Sequence, residues 1–183
     1  MNLIYDIPLY RPPAEGDNLI IQATLGCSFN QCSFCAMYRS KQYSERPLDA
    51  VFADIRQAAA EWPGAHRVFL ADGDALALPT EHLLAILREL ARVLPRLARV
   101  SCYATPGNIS RKSVDELTLL REHKLSLLYF GIESGSDLIL KKITKGATQR
   151  RMAEVLHKAH TSGMKVSATV ILGLGGTQHS DEH

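Results

Sequence analysis

Short apolar segments alternate with helical segments along the chain, and this alternation constrains the fold more than any other feature. The segments predicted to be strands, rich in apolar and β-branched residues, are residues 18–26, 67–71, 99–104, 125–132 and 165–172. Apolar residues at helical spacing predict helices at residues 47–62, 80–94, from 113 onward and 148–162. Strands that are apolar on both faces and alternate with helices are typical of a parallel sheet built from βαβ units. The sequence therefore predicts an α/β fold.

The chain divides into two parts of unequal length. Residues 1–17 are rich in proline and polar residues, and we predict that they form an irregular N-terminal arm. Residues 18–183 are predicted to form the core. Because the chain stops soon after the fifth predicted strand, at residues 180–183 that resemble the first turn of another helix, we expect a truncated core.

Composition limits the classes of protein to which the chain can belong. Its 183 residues suffice for about one domain with an apolar core. The net charge of +2, without a basic run, gives no evidence for a nucleic-acid partner, and no apolar stretch is long enough to span a membrane. The N-terminus lacks the pattern of a secretory signal, so we expect a cytoplasmic protein. Three of the four cysteines fall within nine residues, which indicates reduced thiols rather than a disulfide framework.

Residues suited to binding chemistry follow four of the predicted strands. The clustered cysteines come after the first strand, Asp72-Gly73-Asp74 after the second, Glu133 at the end of the fourth, and the glycine-rich residues 173–176 after the fifth. In parallel α/β folds the ligand site lies beyond the carboxyl ends of the strands. The sequence therefore predicts one shared site at that edge.

The cysteine loop, defined here as residues 27–35, contains Cys27, Cys32 and Cys35. Three thiolates can hold three irons of a cubane cluster and leave the fourth iron open to another ligand. A zinc site is the main alternative, although structural zinc takes four ligands. Three unrelated buried cysteines are a further alternative, and the distant Cys102 is expected to be a small buried residue of the third strand.

The cysteine loop and its surroundings resemble the radical S-adenosylmethionine (SAM) superfamily. The string LGCSFNQCSFCAMYR, with Phe34 just before the last cysteine, resembles the cluster loop of that family. The spacing here is C-x4-C-x2-C, whereas the commonest family spacing is C-x3-C-x2-C. A largely uncharacterised bacterial subgroup has the longer spacing, and the arm sequence IPLYRPPAEGDNLIIQAT resembles the same subgroup. The string YFGIESGSDLILKKITKG is similar to the branch that contains anaerobic coproporphyrinogen oxidase and the methylthiotransferases.

The resemblance implies a partial parallel (β/α) barrel of the radical SAM type, ending after its fifth strand. It also implies a [4Fe–4S] cluster on Cys27, Cys32 and Cys35, with SAM bound at the open iron. An external one-electron reductant, of the flavodoxin or ferredoxin type, would reduce the cluster. Cleavage of SAM would then give a 5′-deoxyadenosyl radical that abstracts hydrogen from a substrate, and the residues do not identify that substrate.

Further positions follow from the resemblance as SAM contacts. Gly73 and Asp74 stand in the segment whose backbone binds the SAM amino group, although the family letters there are Gly-Gly-Glu. Glu133 would accept hydrogen bonds from the ribose, and Lys145 would bind the carboxylate. Ile171 and the backbone of the fifth strand would contact the adenine.

Plainer roles remain open for several of these residues. Glu133 could pair with a lysine, Lys145 could belong to a solvated helix face, and Asp74 could belong to an ordinary turn. The alternative to an enzyme is an iron–sulfur electron carrier or a zinc-stabilised binding module. An electron carrier usually has a fourth cysteine near its cluster, and this loop has three.

Overall fold

A computed structural model describes residues 3–183, so Met1 and Asn2 of the expected arm lie outside the described residues. The strands are β1 (Leu19–Gln22), β2 (Thr24–Leu25), β3 (Ser44–Glu45), β4 (Arg67–Ala71), β5 (Arg99–Ala104), β6 (Leu125–Glu133) and β7 (Lys165–Val170). The α-helices are α1 (Leu48–Glu61), α2 (Thr80–Val93), α3 (Pro106–Arg111), α4 (Val114–Glu122), α5 (Asp137–Lys142) and α6 (Gln149–Thr161).

Five of these strands form a parallel sheet in the order β1-β4-β5-β6-β7. This arrangement confirms the prediction of an α/β fold with a parallel sheet. The pairing of β6 with β7 shifts register between Gly131 and Glu133, at the carboxyl end of β6. The shift lies where the sequence predicts the site.

The two faces of this sheet are covered by different parts of the chain. On one face, strand residues such as Leu70 and Cys102 pack against the apolar sides of the helices in one continuous core. On the other face, Phe69 and Tyr129 pack with Tyr5 of the N-terminal arm. Because side chains alternate along a strand, neighbouring residues of β4 contribute to opposite faces.

A buried carboxylate anchors the arm to the sheet. Glu15, at the end of a short 3-10 helix (Pro13–Glu15), is fully buried. Its Oε1 accepts hydrogen bonds from Tyr129 Oη (2.7 Å), Ser101 Oγ (2.9 Å) and Arg99 Nη2 (3.0 Å). The arm therefore has a defined position although most of it is irregular.

The structure differs from the predicted elements mainly at the first strand. The predicted strand at 18–26 ends at Gln22, and Thr24–Leu25 turns away to pair antiparallel with Ser44–Glu45. The short helices α3 and α5 are absent from the prediction, since six residues are too few for a clear periodic pattern. Residues 180–183 form turns rather than a helix.

The longer helices match the prediction to within a residue or two. The predicted capping box is confirmed, because Ser113 Oγ accepts a hydrogen bond from Glu116 N while Glu116 Oε2 accepts one from Ser113 N. Along residues 3–183, none of the helices combines the length and the apolar character that crossing a membrane requires.

A candidate cofactor site at the carboxyl edge of the sheet

The carboxyl ends of β4, β5, β6 and β7 surround one cavity of about 580 Å³. Most of the predicted site residues line it: Cys27, Cys32, Phe34, Cys35, Gly73, Glu133 and Lys145. Asp74 and Ile171, which the sequence also predicts, lie outside the described lining of this cavity. The structure thus brings the cysteine loop and the end of β6 together, as the order of elements predicts.

The three loop cysteines are free thiols of intermediate exposure. Burial is the main cause that raises the pKa of Cys27, and the nearby Asp74 carboxylate raises it further. Burial also raises the pKa of Cys32, while the Lys145 ammonium acts in the opposite direction. Ligation to iron requires the thiolate, so cluster binding would release these protons.

Arg39 holds the cysteine loop in shape from outside the cavity. Its guanidinium donates to three backbone carbonyl oxygens, those of Cys32 (2.6 Å), Asn30 (2.8 Å) and Cys35 (3.2 Å). Asn30 has a positive φ of 42°, which marks the tight bend inside the loop. One exposed side chain therefore ties together the backbone around two of the three cysteines.

Asp74 supports the cysteine loop rather than the cavity. Its carboxylate is fully buried and accepts hydrogen bonds from the Ser28 backbone N–H (3.0 Å), from the Ser28 hydroxyl and from Asn108 Nδ2 (3.4 Å). A side chain occupied in this way positions Ser28, next to Cys27. Contact between Asp74 and SAM stays a prediction.

Gly73 is packed against the first cysteine. Its N–H donates to Gly26 O (3.0 Å). A Cβ at this position would lie 2.7 Å from Gly26 O and 2.8 Å from Cys27 Cβ, closer than real Cβ atoms come. Glycine is therefore required here by the close approach of the backbone to Gly26 and Cys27.

Glu133 and Lys145 form an ion pair at the rim of the cavity. Lys145 Nζ lies 2.9 Å from Glu133 Oε1, and the exposed fractions of the two side chains are 10% and 8%. Glu133 has a positive φ of 66°, and its carboxylate folds back over Gly131, where an added Cβ would lie 1.9 Å from Oε1. The pairing with a lysine that the sequence left open is thus present, on the wall of the predicted site.

The cysteine loop docks directly on the segment that carries Lys145. Ser33 N donates to Ile143 O (2.9 Å). The Phe29 ring covers Gly146, where an added Cβ would lie 2.4 Å from the ring and where φ is +73°. Sequence reasoning missed Phe29 and Gly146, although a glycine directly after Lys145 was an available signal for a close approach.

Ile171 lies just beyond β7 and is held by backbone contacts. Its N–H donates to Glu133 O (3.1 Å), and its carbonyl oxygen lies 2.8 Å from His183 Nε2. Thr169, two residues earlier, lines the cavity instead. The adenine contact of Ile171 stays a prediction.

Other lining residues were missed because nothing local marks them. They come from the arm, from β5 and β6 and from α3, and include Tyr10, Arg11, Pro12, Tyr103, Arg111 and Tyr129. Only the packing of the arm across the sheet brings these distant segments to one cavity.

The donor set fits an iron–sulfur cubane. Thiolates are the usual ligands of such clusters, each binding its own iron, and one loop presents three thiols to the cavity. Within residues 3–183, no group of three or more His, Cys, Asp or Glu side chains is arranged to hold a single metal ion.

The chain is similar to several known proteins. It is 27% identical over 188 residues to the tRNA-2-methylthio-N(6)-dimethylallyladenosine synthase of Alkalilimnicola ehrlichii, covering 94% of this chain and 40% of that protein. It is 24% identical over 148 residues to the heme chaperone HemW of Bacillus subtilis, covering 79% and 39%. The chain thus spans about two fifths of the length of these relatives.

The fold is also similar to that of solved structures. The cobalamin-dependent S-adenosylmethionine radical enzyme OxsB superposes with a TM-score of 0.68 at 18% sequence identity, covering 84% of this chain and 24% of that one. The family model of the Radical SAM superfamily matches residues 21–183. Enzymes of this family bind a [4Fe–4S] cluster and SAM. The chain belongs to the radical SAM superfamily, as the cysteine loop and the end of β6 predict.

Proposed function

We propose that this chain is the core of an enzyme that binds a [4Fe–4S] cluster through Cys27, Cys32 and Cys35 and cleaves SAM reductively. The observation that carries the proposal is the shared cavity, where the three thiols lie with the Glu133–Lys145 pair. The three thiols alone would fit an iron–sulfur cluster of any function. The charged pair beside them adds groups suited to a ligand with hydroxyl and carboxylate groups.

The protein holds the cluster ligands through contacts on both sides of the loop. Arg39 donates hydrogen bonds to the carbonyl oxygens of Cys32 and Cys35, and Asp74 accepts one from Ser28 N, next to Cys27. Preorganised ligands lose less conformational entropy when they bind, which favours a cluster held by only three residues.

Glu133 and Lys145 would bind the ribose and the carboxylate of SAM. The carboxylate accepts hydrogen bonds from ribose hydroxyls, and the ammonium pairs with the SAM carboxylate. Each then exchanges its present ion-pair partner for a ligand group, so neither charge is left buried without a partner. Phe34, whose ring centre lies 5.9 Å from Lys145 Nζ, would shield this end from water.

The cofactors, when bound, would supply a 5′-deoxyadenosyl radical that abstracts hydrogen from a substrate. The residues of this chain bind and orient the cofactors and exclude water. An external one-electron reductant of the flavodoxin or ferredoxin type and a cytoplasmic location belong to the same proposal. The activity of the whole protein belongs to this proposal as well, since the relatives are more than twice as long as this chain.

Cysteine variants test the proposal. Cys27→Ala, Cys32→Ala and Cys35→Ala are each reconstituted anaerobically with iron and sulfide, beside Cys102→Ala as the matched control. Cys102 is fully buried in the core on the helix side of the sheet, so its loss leaves the ligands intact. We expect the three loop variants to lose the cluster and the formation of 5′-deoxyadenosine after reduction, and the control to retain both.

Each alternative has its own signature in the same experiment. Iron and sulfide without any nucleoside product from the wild type would favour an electron carrier. Zinc without sulfide would favour a binding module. A loop variant with a full cluster and undiminished SAM cleavage would contradict the assignment of that ligand.

A further inference from the structure

Two arginines on the cavity wall are not among the residues that the proposed function assigns to the cofactors. Arg11 comes from the N-terminal arm and Arg111 from the end of α3, and both line the cavity that contains the three cysteines. A Cβ at Gly107, itself part of the lining, would lie 3.7 Å from Arg111 Nη1. The Arg111 guanidinium therefore lies along the cavity wall at the end of β5.

The charges of these arginines are not balanced by carboxylates. Within residues 3–183, neither Arg11 nor Arg111 forms a salt bridge or a side-chain hydrogen bond, and Glu133 is the only carboxylate in the cavity lining. Glu133 is already paired with Lys145 at 2.9 Å. Asp74 lies behind the wall and accepts hydrogen bonds from Ser28 and Asn108. Burial raises the pKa of its carboxyl, and the Arg111 guanidinium acts in the opposite direction. Both side chains are exposed, so the cavity presents two solvated cations that have no carboxylate partner within residues 3–183.

Tyrosine rings line the same cavity. Tyr103 and Tyr129 line the cavity with ring centres 6.2 Å apart, and Tyr10 lies edge-on to Tyr38, with ring centres 5.5 Å apart. Such rings provide contact area for planar groups at a low cost in conformational entropy. The surface suits a ring better than a flexible chain.

The arm that carries Arg11 is held in place before any ligand binds. Pro12 is buried, and Glu15 accepts hydrogen bonds from Ser101 and Tyr129 of the sheet. Arg11 therefore extends from an anchored segment, which lowers the entropic cost of using it in binding.

We propose that Arg11 and Arg111 bind the anionic group, a phosphate or a carboxylate, of a substrate that also carries a planar ring. The guanidinium fork matches both oxyanions in a bidentate manner, and the tyrosine rings accept the planar part. This inference rests on the proposed function, because the same cavity would also hold the cluster and SAM.

Ring probes of different charge test the inference. The anaerobically reconstituted full chain, saturated with SAM, is titrated with phenyl phosphate, benzoate and benzyl alcohol, and the titration is repeated without SAM. Phenyl phosphate or benzoate is expected to bind more tightly than benzyl alcohol, and the tighter of the two identifies the anionic group. Arg11→Gln and Arg111→Gln are each expected to weaken anion binding by roughly tenfold or more.

Arg96→Gln is the matched control. Arg96 is an exposed arginine just before β5, at the opposite edge of the sheet from the cavity. The Arg96→Gln variant should bind all three probes as tightly as the wild type does. Arg11→Lys and Arg111→Lys, which keep the charge but lose the fork, should lie between wild type and the glutamine variants.

Several outcomes would overturn the inference. Equal binding of benzyl alcohol and the two anions would do so, as would unchanged anion binding in both glutamine variants. Weaker SAM binding with unchanged probe binding would assign the arginines to the cofactor instead. The iron content of the wild type and its production of 5′-deoxyadenosine are measured separately, so failure of the proposed function is distinguished from failure of this inference.

Discussion

The two faces of the five-stranded sheet are built from alternate residues of the same strands, yet they differ in what covers them. The helix face is a continuous apolar core in which Leu70 and Leu87 are fully buried. The cavity face carries Phe69, Tyr103 and Tyr129, and it is covered by the arm and the cysteine loop. One face therefore supplies stability by apolar burial, while the other keeps room for ligands.

Polar contacts hold the cover of the cavity face. Lys41 Nζ, after the cysteine loop, forms ion pairs with Asp6 of the arm (2.7 Å) and with Asp72 after β4 (2.8 Å). Asp72 Oδ2 also accepts a hydrogen bond from Gly26 N (3.1 Å). These directional contacts fix positions, whereas apolar contacts on the helix face are not directional.

The largest contrast between the faces is expected in cysteine reactivity. Burial raises the pKa of Cys102, on the helix face, to about 12, so its thiolate at neutral pH should be roughly a thousandfold scarcer than that of a free thiol. Cys27 and Cys32 also have raised pKa values but are partly exposed, so they should react first as the pH rises. Alkylation of the cluster-free protein at increasing pH, followed by mass spectrometry, measures this order. Equal rates for Cys102 and Cys27 would remove the contrast.

Truncation of an apolar side chain should have its largest effect on the helix face. Leu87→Ala removes a fully buried side chain and should lower the free energy of unfolding by about 2–5 kcal/mol. Leu172→Ala, at a residue that is 90% exposed, is the matched control and should change it by less than about 0.5 kcal/mol. Urea denaturation gives both values. If Leu87→Ala lowers the free energy of unfolding as little as Leu172→Ala does, Leu87 contributes little to the core.

Loss of one hydroxyl should destabilise the cavity face by a smaller amount. Tyr129→Phe removes the 2.7 Å hydrogen bond to the buried Glu15 carboxylate, which should cost about 1.5–3 kcal/mol. Tyr10→Phe is the control, since the Tyr10 hydroxyl makes no hydrogen bond to the rest of residues 3–183. If both variants unfold at the same urea concentration, the hydrogen bond from Tyr129 does not contribute to anchoring the arm.

The smallest effect is expected at the exposed Arg39. Arg39→Gln should destabilise the cysteine loop by about 1 kcal/mol, because solvent competes for the three carbonyls that it binds. Hydrogen exchange within residues 28–41 should accelerate, and less iron should be retained after reconstitution. Arg88→Gln, at an exposed position of α2, should change neither quantity.

The long elements could be predicted because their signals are local. Helical spacing and the capping box at Ser113 located α4, and apolar runs located β4 and β5 to the residue. Short elements without a full period, such as α3 and α5, could not be found in this way. The first strand was predicted too long because a turn into a second sheet leaves the apolar pattern unchanged.

Within the site, the types of residue were predictable and their partners were not. Asp74 was predicted from its place after β4, yet only the packed structure shows its carboxylate bonded to Ser28 and Asn108. Arg11 could not be predicted, because its position depends on an irregular arm. That arm is held by the buried Glu15, which accepts a hydrogen bond from Arg99, 84 residues away in the sequence.

The sequence by itself determined the order of strands and helices along the chain and the position of the cysteine loop, because these depend on periodicity and spacing within short segments. Its resemblance to the family lies in two short strings, around the cysteines and at the end of β6. Tertiary structure alone decided which residues of the arm, α3 and the cysteine loop share the cavity. It also decided that Glu133 pairs with Lys145 while Arg11 and Arg111 have no carboxylate partner within the described part of the chain. The physical reason is that burial and charge pairing depend on contacts between distant segments, which no local pattern contains.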